Sequence, residues 1–252
     1  MLRVDGVSMR FGGYLALDNV SCEVADQRIH ALIGPNGAGK TTLFNVISGM
    51  LPPTAGQVVF LGRDYTGARP DRVSAMGIAR NFQQVRLFPG LSVTENIAIG
   101  CHAPTGGNAL TTLLRLGFFE GNAERTARAK AAELIDFVGI KLRSDDLPSE
   151  LTLVDQRRLE IARALASAPR LLLLDEPAAG MNPSEIGELG ELIRRIRASG
   201  VTILLVEHNM RLVMNVAERI TVLSAGRVIA DGPPAEIQKD AAVISAYLGS
   251  TS

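Results

Sequence analysis

Apolar positions in the first sixty residues fall in short runs, "LRVDGVSMRF", "NVSCEV", "IHALI" and "QVVFLG", separated by turns that contain Gly and Asn. Runs of this length between turn residues predict strands. After "IHALI" comes a glycine-rich loop, then "KTTLFNVISGM", whose apolar spacing is helical. Farther along, "RLLLLDE" and "VTILLVEH" are apolar without alternation. That is the pattern of strands covered on both faces of a parallel sheet. The segment "ELGELIRRIRASG" between them has the period of an amphipathic helix and closes with Gly200. Strand, helix and strand in this order predict a right-handed crossover. "ITVLSAGRVIADG" predicts a hairpin turning at Ser224, Ala225 and Gly226.

From about Ser92 to Ala168 the strand pattern fades, while "AERTARAKAAELIDFVGI" and "QRRLEIARALA" are strongly helical. A helical lobe inserted into an α/β core accounts for this change. "APTGGNAL" reads as a loop and "PPAEIQKDAAVISAYLG" as a terminal helical piece, and no internal repeat is visible. The chain has 252 residues, 46% of them hydrophobic, which suits one large domain or a core with an inserted lobe.

Charge and cysteine content narrow the function. Lys+Arg and Asp+Glu both number 26, so no field of one sign favours nucleic acid or an anionic lipid surface. Any anion site must be local. Cys22 and Cys101 fit no metal or redox spacing and are expected to be buried, reduced thiols. The start "MLRVDGVSMRF" lacks the basic and apolar segments of a secretion signal, and no run reaches the ~18 apolar residues of a membrane span. The chain is therefore expected to be soluble by itself, and if it works at a membrane another chain must hold it there.

The loop after "IHALI" carries the chemistry. "GPNGAGKTT" comprises Gly34, Pro35, Asn36, Gly37, Ala38, Gly39, Lys40, Thr41 and Thr42, and fits the phosphate-loop pattern. Its glycines let the backbone curl with N–H groups inward, and the following helix presents its positive end. Lys40 is placed to reach the β- and γ-phosphates, and Thr41 to give its hydroxyl to Mg²⁺. Asp175, at the end of "LLLLD", can hold hydrated Mg²⁺, and Glu176 can polarise an attacking water as general base. His208 ends a strand on the edge where α/β sheets bind ligands, which makes it a functional candidate. His30 and His102 read as structural.

With these motifs in this order, the chain resembles an ATP-binding-cassette (ABC) ATPase subunit over nearly its full length. The resemblance rests on the phosphate loop, "ARNFQQVRLFPGLSVTENI", "QRRLEIARALA", "LLLLDEPAAGMNP" and "LLVEHNM". It implies an α/β P-loop NTPase (RecA-like) core with an antiparallel β subdomain and an inserted α-helical subdomain. The whole of 1–252 would then be one ABC ATPase domain, with 1–91 and 169–252 as the core and β subdomain and 92–168 as the helical subdomain. ATP and Mg²⁺ follow as ligands. Phe11 would stack on adenine, Gln83 would touch Mg²⁺ and water and sense the transporter, and Asn182 would face the opposite subunit. His208 would be the switch histidine near the γ-phosphate.

"DEPAAGMNPSE", "EHNMRLVMNVAERITVL", "GRVIADGPPAEI", "VISAYLG" and the long insert between Ile99 and Glu133 further resemble ATPases of branched-chain amino acid uptake. "RSDDLPSE" stands where exporters carry Thr-x-Val-Gly-Glu, which also favours an importer. The implied partners are a second cassette, identical or related, membrane permeases and, indirectly, a solute-binding protein, with no nucleic acid. The implied place is the cytoplasmic face of the bacterial inner membrane, as a peripheral subunit. Export of lipopolysaccharide or another solute, and a regulatory cassette, are the alternatives.

Three positions depart from the family: Phe11 replaces a commoner tyrosine, Asn209 an aspartate, and the signature loop has lost its glycines. That loop usually reads Leu-Ser-Gly-Gly-Gln and binds the γ-phosphate of ATP held by the opposite subunit. Here it is Leu151-Thr152-Leu153-Val154-Asp155. Thr152 keeps the hydroxyl, and Thr152-x-x-Asp155 forms a capping pattern that would still start the helix.

Overall fold

The computed structural model describes residues 1–81, 87–101, 122–141 and 146–248. The chain divides into two compact units, 1–73 with 173–252, and 74–172. His102, "APTGGNAL" and Gln83 lie outside the described residues.

The first unit opens with an antiparallel sheet. Strand β1 (Leu2–Phe11) turns through Gly12 and Gly13 into β2 (Tyr14–Val24), and β4 (Ala55–Phe60) pairs on the other side of β1, followed by the short β5 (Arg63–Asp64). Strand β2 begins well before the expected "NVSCEV", because Tyr14 is already paired with Phe11 across the turn. Leu2 and Val4, then Val7 and Met9, are buried, the alternation resuming after an irregularity in the β1 pairing between Val4 and Val7, so one face of this sheet is apolar.

The second sheet holds the fully buried runs. β3 (Ile29–Ile33) lies between β8 (Thr202–Val206) and β9 (Arg219–Ser224), parallel to both. β7 (Leu171–Asp175) continues the sheet beyond β8, and β10 (Arg227–Gly232) returns antiparallel to β9. Every residue of β3, β7 and β8 is buried, as expected of strands covered on both faces. The β9–β10 turn falls at Ala225 and Gly226, both with positive φ, which suits the right-handed twist of a hairpin.

Helix α1 (Lys40–Ile47) follows the phosphate loop, and α2 (Pro70–Ala75) is a short piece at the edge of this unit. In the second unit, α3 (Val93–Cys101), α4 (Asn122–Val138) and α5 (Leu153–Ala166) form a helical lobe, preceded by the three-residue strand β6 (Ile78–Arg80). Gly100 lets α3 and α5 approach closely, since a Cβ there would lie 2.2 Å from the carbonyl oxygen of Arg163. Asn96, fully buried, accepts from the N–H of Phe88 and donates to the carbonyls of Phe88, Leu91 and Ser92, fixing the turn that starts α3. Back in the first unit, α6 (Pro183–Ala198) links β7 to β8, and α7 (Met210–Val216), α8 (Pro234–Ile237) and α9 (Ala241–Leu248) are the last helices among the described residues. Among the described residues no helix is long and apolar enough to cross a membrane.

Both cysteines are free, yet neither is fully enclosed. Cys22 borders an open groove of about 650 Å³ whose walls include Arg3, Glu23 and Asp231. His30 is structural, as expected. It is buried in β3, and its Nε2 lies 2.7 Å from the hydroxyl of Thr221, which itself donates to Asp231. That hydroxyl is therefore the acceptor and His30 Nε2 the donor. Burial pushes the His30 pKa down from 6.5 to about 4, against the pull of Asp231 and with the push of Arg219. The unfolded chain therefore takes up a proton at His30 that the folded chain refuses. The contribution to stability is complete above the unfolded value and is lost as pH falls towards the folded one. Denaturant midpoints should drop between about pH 7 and pH 5, with His30 accounting for on the order of 2 kcal/mol. His30→Gln should flatten that slope, and an unchanged slope would show that His30 is not its source.

Candidate functional site

The phosphate loop is built against three other strands. The carbonyl of Ala38 accepts from the N–H of Gly226 at 3.1 Å, and the carbonyl of Gly226 accepts from the N–H of Asp18 at 2.8 Å. The β9–β10 turn therefore bridges the loop to β2. This crowding explains two of the glycines. At Gly34, with φ 150°, a Cβ would sit 2.1 Å from the carbonyl oxygen of Leu223. At Gly39, with φ 101°, it would sit 2.7 Å from the carbonyl oxygen of Ala16. No side chain fits either place.

Lys40 opens α1 and is buried, its Nζ donating to the carbonyls of Gly34 at 2.7 Å and Pro35 at 2.9 Å. The ammonium thus spans the mouth of the loop. Burial lowers its pKa, while the nearby carboxylates of Glu176 and Asp175 act the other way. Thr41, next along the helix, is exposed, and Thr42 is half-buried.

Asp175 ends β7 and is buried. Glu176 follows in a left-handed conformation, φ 46°, held by its N–H donating to the carbonyl of Val206 at 2.9 Å. A non-glycine residue in that region is strained, and such strain concentrates at functional sites. Its Oε2 lies 3.7 Å from Nδ1 of His208, whose side chain is largely exposed. Lys40, Asp175, Glu176 and His208 are therefore brought together in one unit, as their motifs required.

Glu207 joins this group, although its place in "VEHNM" marked it only as the residue before His208. It is fully buried and accepts from the N–H groups of Ala178, His208 and Asn209. Its position immediately after an apolar run was the one signal available. Asn209 caps α7, accepting from the N–H of Leu212 at 3.1 Å, a role asparagine fills as well as aspartate. Asn182 caps α6 in the same way, accepting from Ser184 and Glu185.

Phe11, at the end of β1, is 46% exposed, and Tyr14, paired with it across the turn, is 62% exposed. Two aromatic rings thus flank the turn where one was expected. Thr152 lies in the other unit. It caps α5, accepting from the N–H of Asp155 at 3.2 Å and donating its hydroxyl to the Asp155 carboxylate at 3.0 Å. The expected helix start is present, with the hydroxyl already engaged.

The loop amides, the ammonium and the positive end of α1 fit a polyphosphate. The Thr41 hydroxyl and Asp175 carboxylate are hard oxygen donors of the kind Mg²⁺ takes.

The family model described as "ABC transporter" matches residues 17–179, and one described as "Branched-chain amino acid ATP-binding cassette transporter" matches 227–251. The chain belongs to the ABC transporter ATP-binding family. It is 44% identical over 250 residues to the high-affinity branched-chain amino acid transport ATP-binding protein LivG of Salmonella typhimurium, covering 99% of this chain and 98% of the relative. Against the BraF protein of Pseudomonas aeruginosa, described in the same words, identity is 40% with the same coverage. A solved nucleotide-free cassette from an ABC transporter superposes with a TM-score of 0.86 at 31% identity, covering 98% of both chains. The ADP conformation of an ABC transporter cassette superposes at 0.87, also at 31% identity, covering 99% of this chain and 98% of that one.

The cassette binds nucleotide and hydrolyses ATP. Its fold is the α/β core, antiparallel sheet and helical lobe that the motifs implied. Lys40→Ala should abolish measurable ATP binding by calorimetry, because it removes the ammonium and its bonds across the loop. Unchanged affinity would displace the nucleotide from this loop.

Proposed function

We propose that this chain is the ATPase subunit of an importer for branched-chain amino acids or similar small polar solutes, peripheral to the cytoplasmic face of a bacterial inner membrane. The observation that carries the reading is the convergence of Lys40, Asp175, Glu176 and His208 at one loop, in a chain matched end to end by amino acid transport ATP-binding proteins. An export role has no such support, and the complete set of residues counts against a purely regulatory cassette.

In this reading Gly34, Pro35, Asn36, Gly37, Ala38, Gly39 and Thr42 form the cradle for the phosphates, and Lys40 balances their charge. Phe11 stacks on adenine, with Tyr14 beside it. Thr41, Asp175 and Gln83 would hold Mg²⁺, which would supply neutralisation of the phosphate charge. Glu176 takes the proton from the attacking water. His208, within 3.7 Å of the Glu176 carboxylate, keeps that group aligned with the γ-phosphate.

Residues 1–91 and 169–252 then form the nucleotide-handling part, and 92–168 the lobe that meets permeases. Solute choice belongs to the permeases and to a solute-binding protein. A second cassette completes the assembly. A solved cassette described as the dimeric structure of a post-hydrolysis state bound to ADP and Pi matches at 25% identity with a TM-score of 0.78, covering 93% of this chain and 99% of that one. By that analogy Thr152 faces the nucleotide of the partner cassette.

Glu176→Gln should keep ATP binding while slowing turnover by about 10²- to 10⁴-fold, since it removes a base and no phosphate contact. Hydrolysis at the wild-type rate would remove Glu176 from the role.

In assembled complexes carrying Glu176→Gln in this chain, only the partner's site turns over. There Thr152→Ala should slow the residual rate by about 10²- to 10³-fold, and Thr152→Ser should be near neutral. If Thr152→Ala has no effect, the signature of this chain does not contribute to hydrolysis.

A further inference from the structure

Glu207 closes strand β8 at a position where an apolar residue would simply extend the buried run. A buried carboxyl group is costly unless its oxygens are hydrogen-bonded. Here both are, and they serve different loops. Oε1 accepts from the N–H of Ala178 at 2.8 Å, two residues after Glu176. Oε2 accepts from the N–H groups of His208 and Asn209, both at 3.0 Å. Among the described residues no lysine or arginine forms an ion pair with it. Backbone amides of the two loops are its partners, so its geometry is tied to the loops themselves.

The segment after β7 carries Glu176, and the segment after β8 carries His208. Each is short and leaves its strand at a turn. The N–H of Glu176 also donates to the carbonyl of Val206, tying the first segment to the end of β8. We propose that Glu207 is a positioning residue for ATP hydrolysis, clamping the loop of Glu176 to the loop of His208 so that the two side chains keep one separation. This rests on the roles given above to Glu176 and His208. Glu207 touches neither nucleotide nor water in this scheme and acts through the backbone of the residues that do.

The clamp needs two acceptor oxygens. A carboxamide has one, and its NH₂ is a donor. In Glu207→Gln, either Ala178 or the His208–Asn209 pair must face that NH₂ and lose its acceptor, at unchanged side-chain volume.

The test is a double-mutant cycle on the full-length chain, reading kcat and KM for ATP together with nucleotide affinity. Glu207→Gln should lower kcat by about 10- to 100-fold, the cost of one unsatisfied buried donor, with affinity and KM held within about twofold. In a His208→Ala background the same substitution should cost less than about twofold, because the residue it positions is gone. A purely structural role would multiply through in both backgrounds, and that result overturns the clamp. So does turnover at the wild-type rate, or loss of affinity in step with kcat.

Should the glutamine variant fail to fold, Glu207→Asp keeps two acceptors on a shorter arm. It should give a smaller loss of kcat with the same dependence on His208, and full multiplication there again overturns the clamp. Slow Glu176→Gln and His208→Ala enzymes beside an unaffected Glu207→Gln overturn the clamp alone. Wild-type rates in those two single variants overturn the site assignment and the clamp with it.

Discussion

The close approach of backbone to backbone around the phosphate loop is the constraint on which the rest depends. A loop whose amides turn inward to an anion must leave carbonyls facing outward, and buried carbonyls need partners. Ala38 finds its partner in Gly226, and Gly226 in turn receives Asp18. Strands β2, β9 and β10 are therefore fitted to the loop, and Gly34 and Gly39 stand where the fit leaves no space for a side chain. The antiparallel sheet and the parallel sheet meet at this point. Their arrangement within the first unit can be understood as support for one turn of chain.

The same logic orders the chemistry. β3 delivers Lys40, β7 delivers Asp175 and Glu176, and β8 delivers His208. All three strands lack polar alternation because both of their faces are covered. Their ends therefore lie where the buried layer stops. The electrostatic result is an ammonium with two carboxylates close enough to influence its titration, on a loop that presents amides.

Much of this was legible because it is periodic or motif-borne. Apolar runs announced β3, β7 and β8, and the spacing of the phosphate loop announced Lys40 and Thr41. The early start of β2 was not legible, because its pairing is set by β1 across the Gly12–Gly13 turn rather than by its own pattern. β5, β6 and α2 are two, three and six residues long, too short for any period to show. Tyr14 was missed for the same reason as the start of β2. Glu207 was missed because the amide of Ala178, 29 positions away, becomes its neighbour only in three dimensions. Cys22 was expected to be enclosed, but a groove beside β2 leaves it partly open.

Helix α5 begins with a threonine whose hydroxyl both receives the Asp155 amide and holds the Asp155 carboxylate. One amide of its first turn is thereby satisfied from within, and no glycine is needed to start the helix. In the proposed assembly, starting the helix and meeting a neighbouring subunit's nucleotide draw on the same hydroxyl, so the cap and the contact are coupled.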